Sequence, residues 1–594
     1  MKSFAAVWTP DEKPDRLPPV LTTALHRVSA DPEPAILRAT AHWMVGTAGA
    51  PAEQMVRRDS SSILAASLDN GSLTELSDGL VPRRGRLTIS SRIPGVFAFA
   101  RLSTANEQLT AGSSRPTPLP IFYSRTSGGE IVVASDALLC ALIRAALSGT
   151  EVHLSSEYAR DLLSWGYALS GRTPFTGVSQ VRPTEYLVVM DGQIHRRERL
   201  SLDDFDLDES TEEDKAHLMA DSLAASAERL PRDQSTLLRL SGGKDSRVLI
   251  AALHAVGAPV VTETRGADSD LEVAVAAEVA RQAGFRHSVT DTDLAVPGDL
   301  RSSALTTIAR TGGLVPSEPH HAVFAGASPE FPDQWLIMGH SHIQRGGFAR
   351  TMQNRRDLTW QTLTSQCTTM VHPDLQSAAE HQVRDWLARS TFVTHADPLY
   401  EYHVQHRASS YLAPHYRDYS TEATLNYPMV SHEFTAICDA LTMFDRVSER
   451  VVFRAAELLS PDIMAVPLTD DLWRFDKSGP GQISPERFAE RTTPFPAPKI
   501  TRDRSRPASY SPLSPASLAD VVQRLLVEPA FPQLRPFLHP DFLRIIGEKD
   551  VRAAIDRYAS EQGPRAAGNL RKFIWRAYAA VLWLSGDWLS IDEA

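Results

Sequence analysis

The chain has 594 residues, too many for one compact core, and its hydrophobic fraction of 42% and charged fraction of 22% are those of a soluble protein of two or three domains. A net charge of −11, from 61 basic and 72 acidic residues, argues against a broad nucleic-acid surface, which needs a basic excess. Cys140, Cys367 and Cys438 are too scattered for a paired-cysteine zinc site, and no apolar run suits a signal peptide or a membrane helix, so the expectation is reduced thiols in a cytoplasmic protein with no membrane partner.

Residues 1–205 read as mostly β. Short runs of β-branched and aromatic residues lie between turn formers: Arg86-Leu-Thr-Ile-Ser-Ser, Gly95-Val-Phe-Ala-Phe-Ala, Ile121-Phe-Tyr-Ser, Ile131-Val-Val-Ala-Ser and Tyr186-Leu-Val-Val-Met. Gly128-Gly129 is a hairpin signal, and Ala137 to Leu147 follows as a helix. An acidic stretch at 205–220 grades into an amphipathic helix around Ala216–Arg229, which marks a domain joint. From residue 235 strands and helices alternate: strands at Thr236, Pro259, Arg286 and Trp335, helices over Ser246–Val256 and Leu271–Ala283. That rhythm predicts βαβ units and a parallel sheet, hence an α/β region following an α+β one. Residues 350–475 are helical by period. Residues 478–517, rich in Pro, Ser and Arg, predict a flexible loop or lid, and 518–594 return to amphipathic helices anchored by Trp575, Trp583 and Trp588.

The chemistry concentrates at Leu240-Ser241-Gly242-Gly243-Lys244-Asp245-Ser246, directly after the first strand of the parallel region and opening its first helix. In open parallel sheets ligands sit beyond the carboxyl ends of the strands. Two glycines let backbone approach phosphate oxygens, the helix start favours an anion, and Ser241 and Ser246 add hydroxyls. Asp245 repels bare phosphate but suits a Mg²⁺ that bridges phosphates, which makes it a metal-ligand candidate. The same residues could also form a plain turn with Asp245 as a helix cap. Their order resembles the ATP pyrophosphatase group, which cleaves ATP between the α- and β-phosphates.

Over about the first 475 residues the chain resembles the asparagine-synthetase family. Gly95-Val-Phe-Ala, Pro118-Leu-Pro-Ile-Phe-Tyr, Val133-Ala-Ser-Asp, Trp165-Gly-Tyr-Ala, Thr173-Pro-Phe-Thr-Gly-Val and Arg182-Pro-Thr-Glu-Tyr-Leu carry the likeness in order. The resemblance implies a glutaminase-like (class II amidotransferase-like) layer over 1–205 with an Ntn-hydrolase-like fold. An ATP-binding region of adenine-nucleotide α-hydrolase type would follow over 206–477. The family's nucleophilic cysteine follows the initiator Met; Lys2 stands there, so glutamine is not the expected nitrogen source. Two branches of the family work without it: lasso-peptide cyclases (macrolactam synthetases) and, next closest, β-lactam synthetases.

The resemblance also assigns sites. Leu336-Ile-Met-Gly339-His340-Ser341-His342-Ile343-Gln344-Arg345-Gly346-Gly347 resembles the family's second loop, with Gly339 near the nucleotide and His342 where a second metal-binding aspartate stands. His340 is a candidate base or proton relay. Leu399-Tyr400-Glu401 resembles the glutamate-bearing helix, with Glu401 pairing with the 339–342 turn to orient or deprotonate the amine. Arg450 and Arg454 resemble a basic helix near the triphosphate, and Thr264 follows the second strand where adenine and ribose are held. The lysine that follows Pro467 in the family is replaced by Leu468-Thr469, leaving Lys244, Lys477 and Lys499 as candidates.

ATP and Mg²⁺ are the implied cofactors. The implied reaction adenylates an Asp or Glu side chain of a precursor peptide, which the peptide's own amine then attacks, with AMP and pyrophosphate released. A leader-recognition protein and a leader peptidase are the implied partners. Small-molecule amide synthesis, ammonia-dependent asparagine synthesis and non-catalytic nucleotide binding are the alternatives.

Overall fold

Alternation along Ser3–Trp8 sends Phe4 and Ala6 into one core and Ala5 and Val7 into another, as the two-residue strand period requires. The same alternation builds two six-stranded sheets, antiparallel throughout, in the N-terminal region. The first runs in the order Ser179–Gln180, Phe122–Arg125, Ile131–Ala134, Ser3–Trp8, Trp43–Ala48, Ala35–Arg38; the second Gln193–Glu198, Glu185–Met190, Gln108–Ser113, Phe97–Ser103, Ser62–Leu68, Val56–Arg58. Their inner faces share one core, and helices Leu17–Val28 and Ala137–Ser148 cover the outer face of the first. The computed structural model describes residues 2–591 apart from 11–15, 30–32, 84–85, 170, 202–204, 234–235, 267–269, 291–298, 317–334, 340–341, 352–358, 390–393, 395, 422, 470–471, 482–483 and 497–512.

The strands expected from composition are present, and the Gly128-Gly129 turn joins an antiparallel pair, with Gly129 at φ 95°. Ser3–Trp8, Trp43–Ala48 and Ser62–Leu68 were not anticipated: they are buried over almost their whole length and lack a polar alternate. The acidic 205–220 stretch resolves into a capped helix start. Thr211 and Asp214 form a reciprocal capping box, and the helix Glu212–Glu228 takes up the acidic run as its first turn.

A five-stranded sheet, parallel throughout, follows in the order Arg286–Thr290, Val260–Arg265, Thr236–Arg239, Trp335–Ile337, Thr424–Asn426. The fold is thus mixed α and β, with antiparallel layers first, a parallel sheet next and helices last. The fifth strand, Thr424–Asn426, lies inside the stretch expected to be helical; three residues are too few for a period to show. The chain leaves the central strand Thr236–Arg239 toward one edge and returns on its other side at Trp335–Ile337. The loops after these two strands therefore lie side by side, where open α/β sheets take ligands.

The C-terminal helices Pro515–Val527, Val551–Gln562 and Pro564–Ser585 share a core with Ala137–Ser148, Ser156–Trp165 and Leu300–Arg310. Trp575, Trp583 and Trp588 are buried in it, and the Trp583 indole donates to the Gly313 carbonyl at 3.0 Å. These helices continue the core on the outer face of the first sheet, whereas the helix that opens the parallel region, Lys244–Ala255, shares the core of the sheets' inner faces. Within 478–517, residues Pro485–Thr492 form a helix. Arg491 pins it by pairing with Asp476 and stacking over Phe453 and Phe475, so this part is held down. Among the described residues no helix is long and apolar enough to cross a membrane.

Candidate functional site

The loop after the central strand closes on itself. Ser241 and Ser246 hydroxyls lie 2.5 Å apart, the Ser241 amide donates to Ser246 Oγ at 3.2 Å, and the Gly243 amide donates to Ser241 Oγ at 3.2 Å. The helix Lys244–Ala255 then opens at Gly243 without a side-chain cap. A Cβ on Gly242 would meet the Glu272 carbonyl and Val275 at 3.1 Å, so glycine lets the loop lie against the next helix. Leu240 is buried, and its carbonyl accepts from the Thr264 hydroxyl at 2.7 Å. Thr264 thus braces the loop from the neighbouring strand.

The second loop docks on the first through Asp245. Gln344 Nε2 donates to Asp245 Oδ1 at 2.8 Å and Arg345 Nη2 donates to Oδ2 at 2.9 Å, while His342 Nδ1 stands 3.6 Å from Oδ2. Arg345 also donates to His342 Nδ1 at 2.8 Å, because one 3₁₀ turn, Ile343–Arg345, carries positions three apart onto one side. Gly339 allows close approach, since a Cβ there would sit 3.0 Å from Leu249 of the loop helix. Gly347, at φ 54°, is required: a Cβ would run into the His403 ring at 2.7 Å. His340 lies outside the described residues, so its assignment stays with the resemblance.

Behind the two loops stands Glu449, which sequence reasoning missed. It is buried, yet its backbone is left-handed at φ 63°, a conformation costly for a side chain larger than glycine's. Its carboxylate accepts from Lys244 Nζ at 2.8 Å and from the Arg474 amide at 3.0 Å, and lies 3.5 Å from Arg345 Nη1. Lys244 also donates to the Leu472 carbonyl at 2.7 Å, so its ammonium is committed to the wall of the site. The result is an alternating array, Lys244, Glu449, Arg345, Asp245. Arg345 carried one signal in sequence: it directly precedes Gly346-Gly347. Glu449 carried none, lying over a hundred residues downstream in a helix junction.

Glu401, Arg450 and Arg454 each have partners of their own. Glu401 pairs with Arg115 of the N-terminal layers at 2.7 Å and accepts from Gln405 at 2.7 Å. Burial alone would raise its pKa, but the charge and hydrogen bond of Arg115, with Gln405, bring it below the usual value. By helical phase residues two apart point to opposite sides, and it is His403 that packs on Gly347, with its ring 4.9 Å from Phe348 and 6.3 Å from His342. A π-helical segment begins at His403, a local irregularity that helices often show at functional sites. Arg450 is exposed at the start of its helix with its guanidinium over the Phe475 ring, while Arg454 is paired with Glu213 and Glu457.

No lysine replaces the one absent after Pro467 among the described residues. Lys477 is exposed on the turn Arg474–Ser478, Lys499 lies outside the described residues, and Leu468 is buried. Arg247 of the loop helix fills this neighbourhood, donating to the Val466 and Pro467 carbonyls.

Cys140 is the one cysteine of the N-terminal layers, and burial raises its pKa, as it raises that of Cys367, to about 12, and that of Cys438, which disfavours the nucleophilic thiolate. Lys2 instead lies within electrostatic reach of Asp69.

A divalent cation on Asp245 and His342 does not fit this donor set. Magnesium asks for oxygen ligands, whereas the pair offers one carboxylate and one imidazole, and the Arg345 guanidinium donates to both. No three His, Cys, Asp or Glu side chains converge on a common point among the described residues. Neither protein-family models nor curated proteins give a match to this chain.

Proposed function

We propose that this protein is an AMP-forming, amide-bond-forming enzyme that closes a macrolactam in a ribosomal peptide, as a lasso-peptide cyclase does. One observation carries the reading. The Ser241–Ser246 loop lies at the carboxyl end of the central parallel strand, where strand order reverses, with the second loop docked on it. In this reading ATP sits in the crevice between the two loops with its leaving diphosphate at the start of helix Lys244–Ala255, where the helix dipole favours an anion. Gly242 and Gly243 allow the close backbone approach. Cleavage at the α-phosphate converts a side-chain carboxylate into an acyl adenylate, whose leaving group is AMP.

The amine then attacks. An α-amine with a pKa of about 7.7–8.0 is partly neutral near pH 7, so it needs little help from a base. That agrees with Glu401 being paired with Arg115. Holding amine and acyl adenylate in one site replaces a bimolecular step and removes roughly 7–11 kcal/mol of barrier. Thiols with raised pKa, and Lys2 at the position of the family's nucleophile, fit a nitrogen source that already belongs to the substrate.

The test supplies ATP and a peptide with a free N-terminal amine and an internal acidic residue, and follows nucleotide products and peptide mass. The expected result is AMP with pyrophosphate and a peptide lighter by one water. ADP with phosphate, or, with aspartate and ammonia added, AMP with asparagine formed and the peptide unchanged, would sink the macrolactam reading. A second reading, nucleotide binding without chemistry, draws on the saturation of Asp245 by Gln344 and Arg345; tight ATP binding with no AMP from any peptide would favour it.

A further inference from the structure

Charges of opposite sign alternate where the two loops meet. Resting on the reading above, we propose that Arg345, clamped by Glu449, is the resident counter-ion of Asp245, so that the loop takes a diphosphate group with no divalent cation held by Asp245. Arg345 sits between two carboxylates, 2.9 Å from Asp245 Oδ2 and 3.5 Å from Glu449 Oε1, with 9% of its side chain exposed. Lys244 balances the other oxygen of Glu449 at 2.8 Å. Among the described residues these two cations and two carboxylates sum to zero at the helix start.

The consequence is electrostatic. Alone, Asp245 would place a negative charge in the first helical turn, facing an incoming polyanion. An attached guanidinium offsets it through a planar fork of donors matched to a carboxylate. Its planar fork satisfies Asp245 while still reaching His342 Nδ1 at 2.8 Å, so it also fixes the ring that lies where a second metal ligand was expected. A second, independent feature points the same way. Position 449 keeps a glutamate in a left-handed conformation that glycine would adopt more cheaply, and it is the glutamate carboxylate that holds Arg345 and Lys244.

The experiment is calorimetric titration of the full chain with an ATP analogue carrying a methylene between the α- and β-phosphates, once in excess magnesium and once in EDTA. The wild-type chain is expected to bind in both, with EDTA weakening Kd by less than about threefold; for Arg345→Met, EDTA is expected to weaken Kd by at least about tenfold. A merely structural role for Arg345 would lower affinity equally in both buffers, so the ratio of the two constants is the discriminating readout. Should Arg345→Met fail to fold, the more conservative Arg345→Gln replaces it and is expected to show the same weakening of at least about tenfold in EDTA. Wild-type binding seen only with magnesium, or Arg345→Met with an unchanged ratio, would overturn the inference and leave the function standing. Binding in neither buffer would overturn both.

Discussion

Two aspartates divide the molecule, one directly after a strand and the other in the first turn of a helix that follows a glycine-containing loop. Asp69 lies in the N-terminal layers, where its Oδ1 accepts from the Asn70 and Val96 amides at 2.5 and 2.6 Å. Its Oδ2 is buried with no hydrogen-bond partner among the described residues, and burial raises its pKa to about 7 against the pull of those amides and of Lys2. Asp245 lies in the parallel region and is gathered by Gln344, Arg345 and His342. One carboxyl has a buried oxygen and little cationic company; the other is surrounded by donors. Desolvation without a close cation favours the neutral acid, whereas a guanidinium at hydrogen-bond distance holds the charge in place. The first arrangement packs a layer, and the second joins two loops at the carboxyl ends of neighbouring strands.

The contrast can be broken at its strongest point first. Glu449→Ala removes the buried counter-charge of both Lys244 and Arg345 and keeps the left-handed backbone cost, so urea unfolding should show a loss of about 3–5 kcal/mol. Glu449→Gln should lose less, because the amide oxygen still accepts. Asp245→Asn comes next. It leaves Arg345 with Glu449 as its one carboxylate among the described residues, beside the His342 ring, and AMP formation with a competent peptide should fall about 100-fold, close to 2.7 kcal/mol of barrier. Unchanged AMP formation would remove the loop from the chemistry.

Asp69 supplies the pH test. Its folded pKa, about 7, lies above the unfolded value of about 4. Between those values the folded chain keeps a proton that the unfolded chain has lost, so this group's contribution to stability falls as pH rises through that window. Asp69→Asn should flatten the fall, read as urea midpoints at pH 5 and pH 8 that converge relative to wild type. Asp245→Asn should leave that slope unchanged. The smallest effect belongs to Glu401→Gln: it loses one charged hydrogen bond to Arg115, about 1–3 kcal/mol of stability, with AMP formation altered by less than about threefold. A large fall in AMP formation from this variant alone would restore Glu401 to the reacting centre.

Local chemistry was readable from the chain itself. The glycine pair at 242–243, the βαβ rhythm from Thr236 to Thr290 and the Gly346-Gly347 turn depend on neighbours in sequence, and the strand Arg286–Thr290 has the limits that composition predicted. Only the folded chain could decide which charges meet. Lys244, next to the phosphate-type loop, turns to Glu449; Asp245 is met by Arg345 instead of a second carboxylate; Glu401 pairs with Arg115, far away in sequence. The physical reason is that period and propensity act over a few residues, whereas ion pairs are set by how helices rotate and sheets stack once the cores are buried. Helical phase at positions 401 and 403, a left-handed turn at Glu449 and the reversal of strand order are each products of that packing.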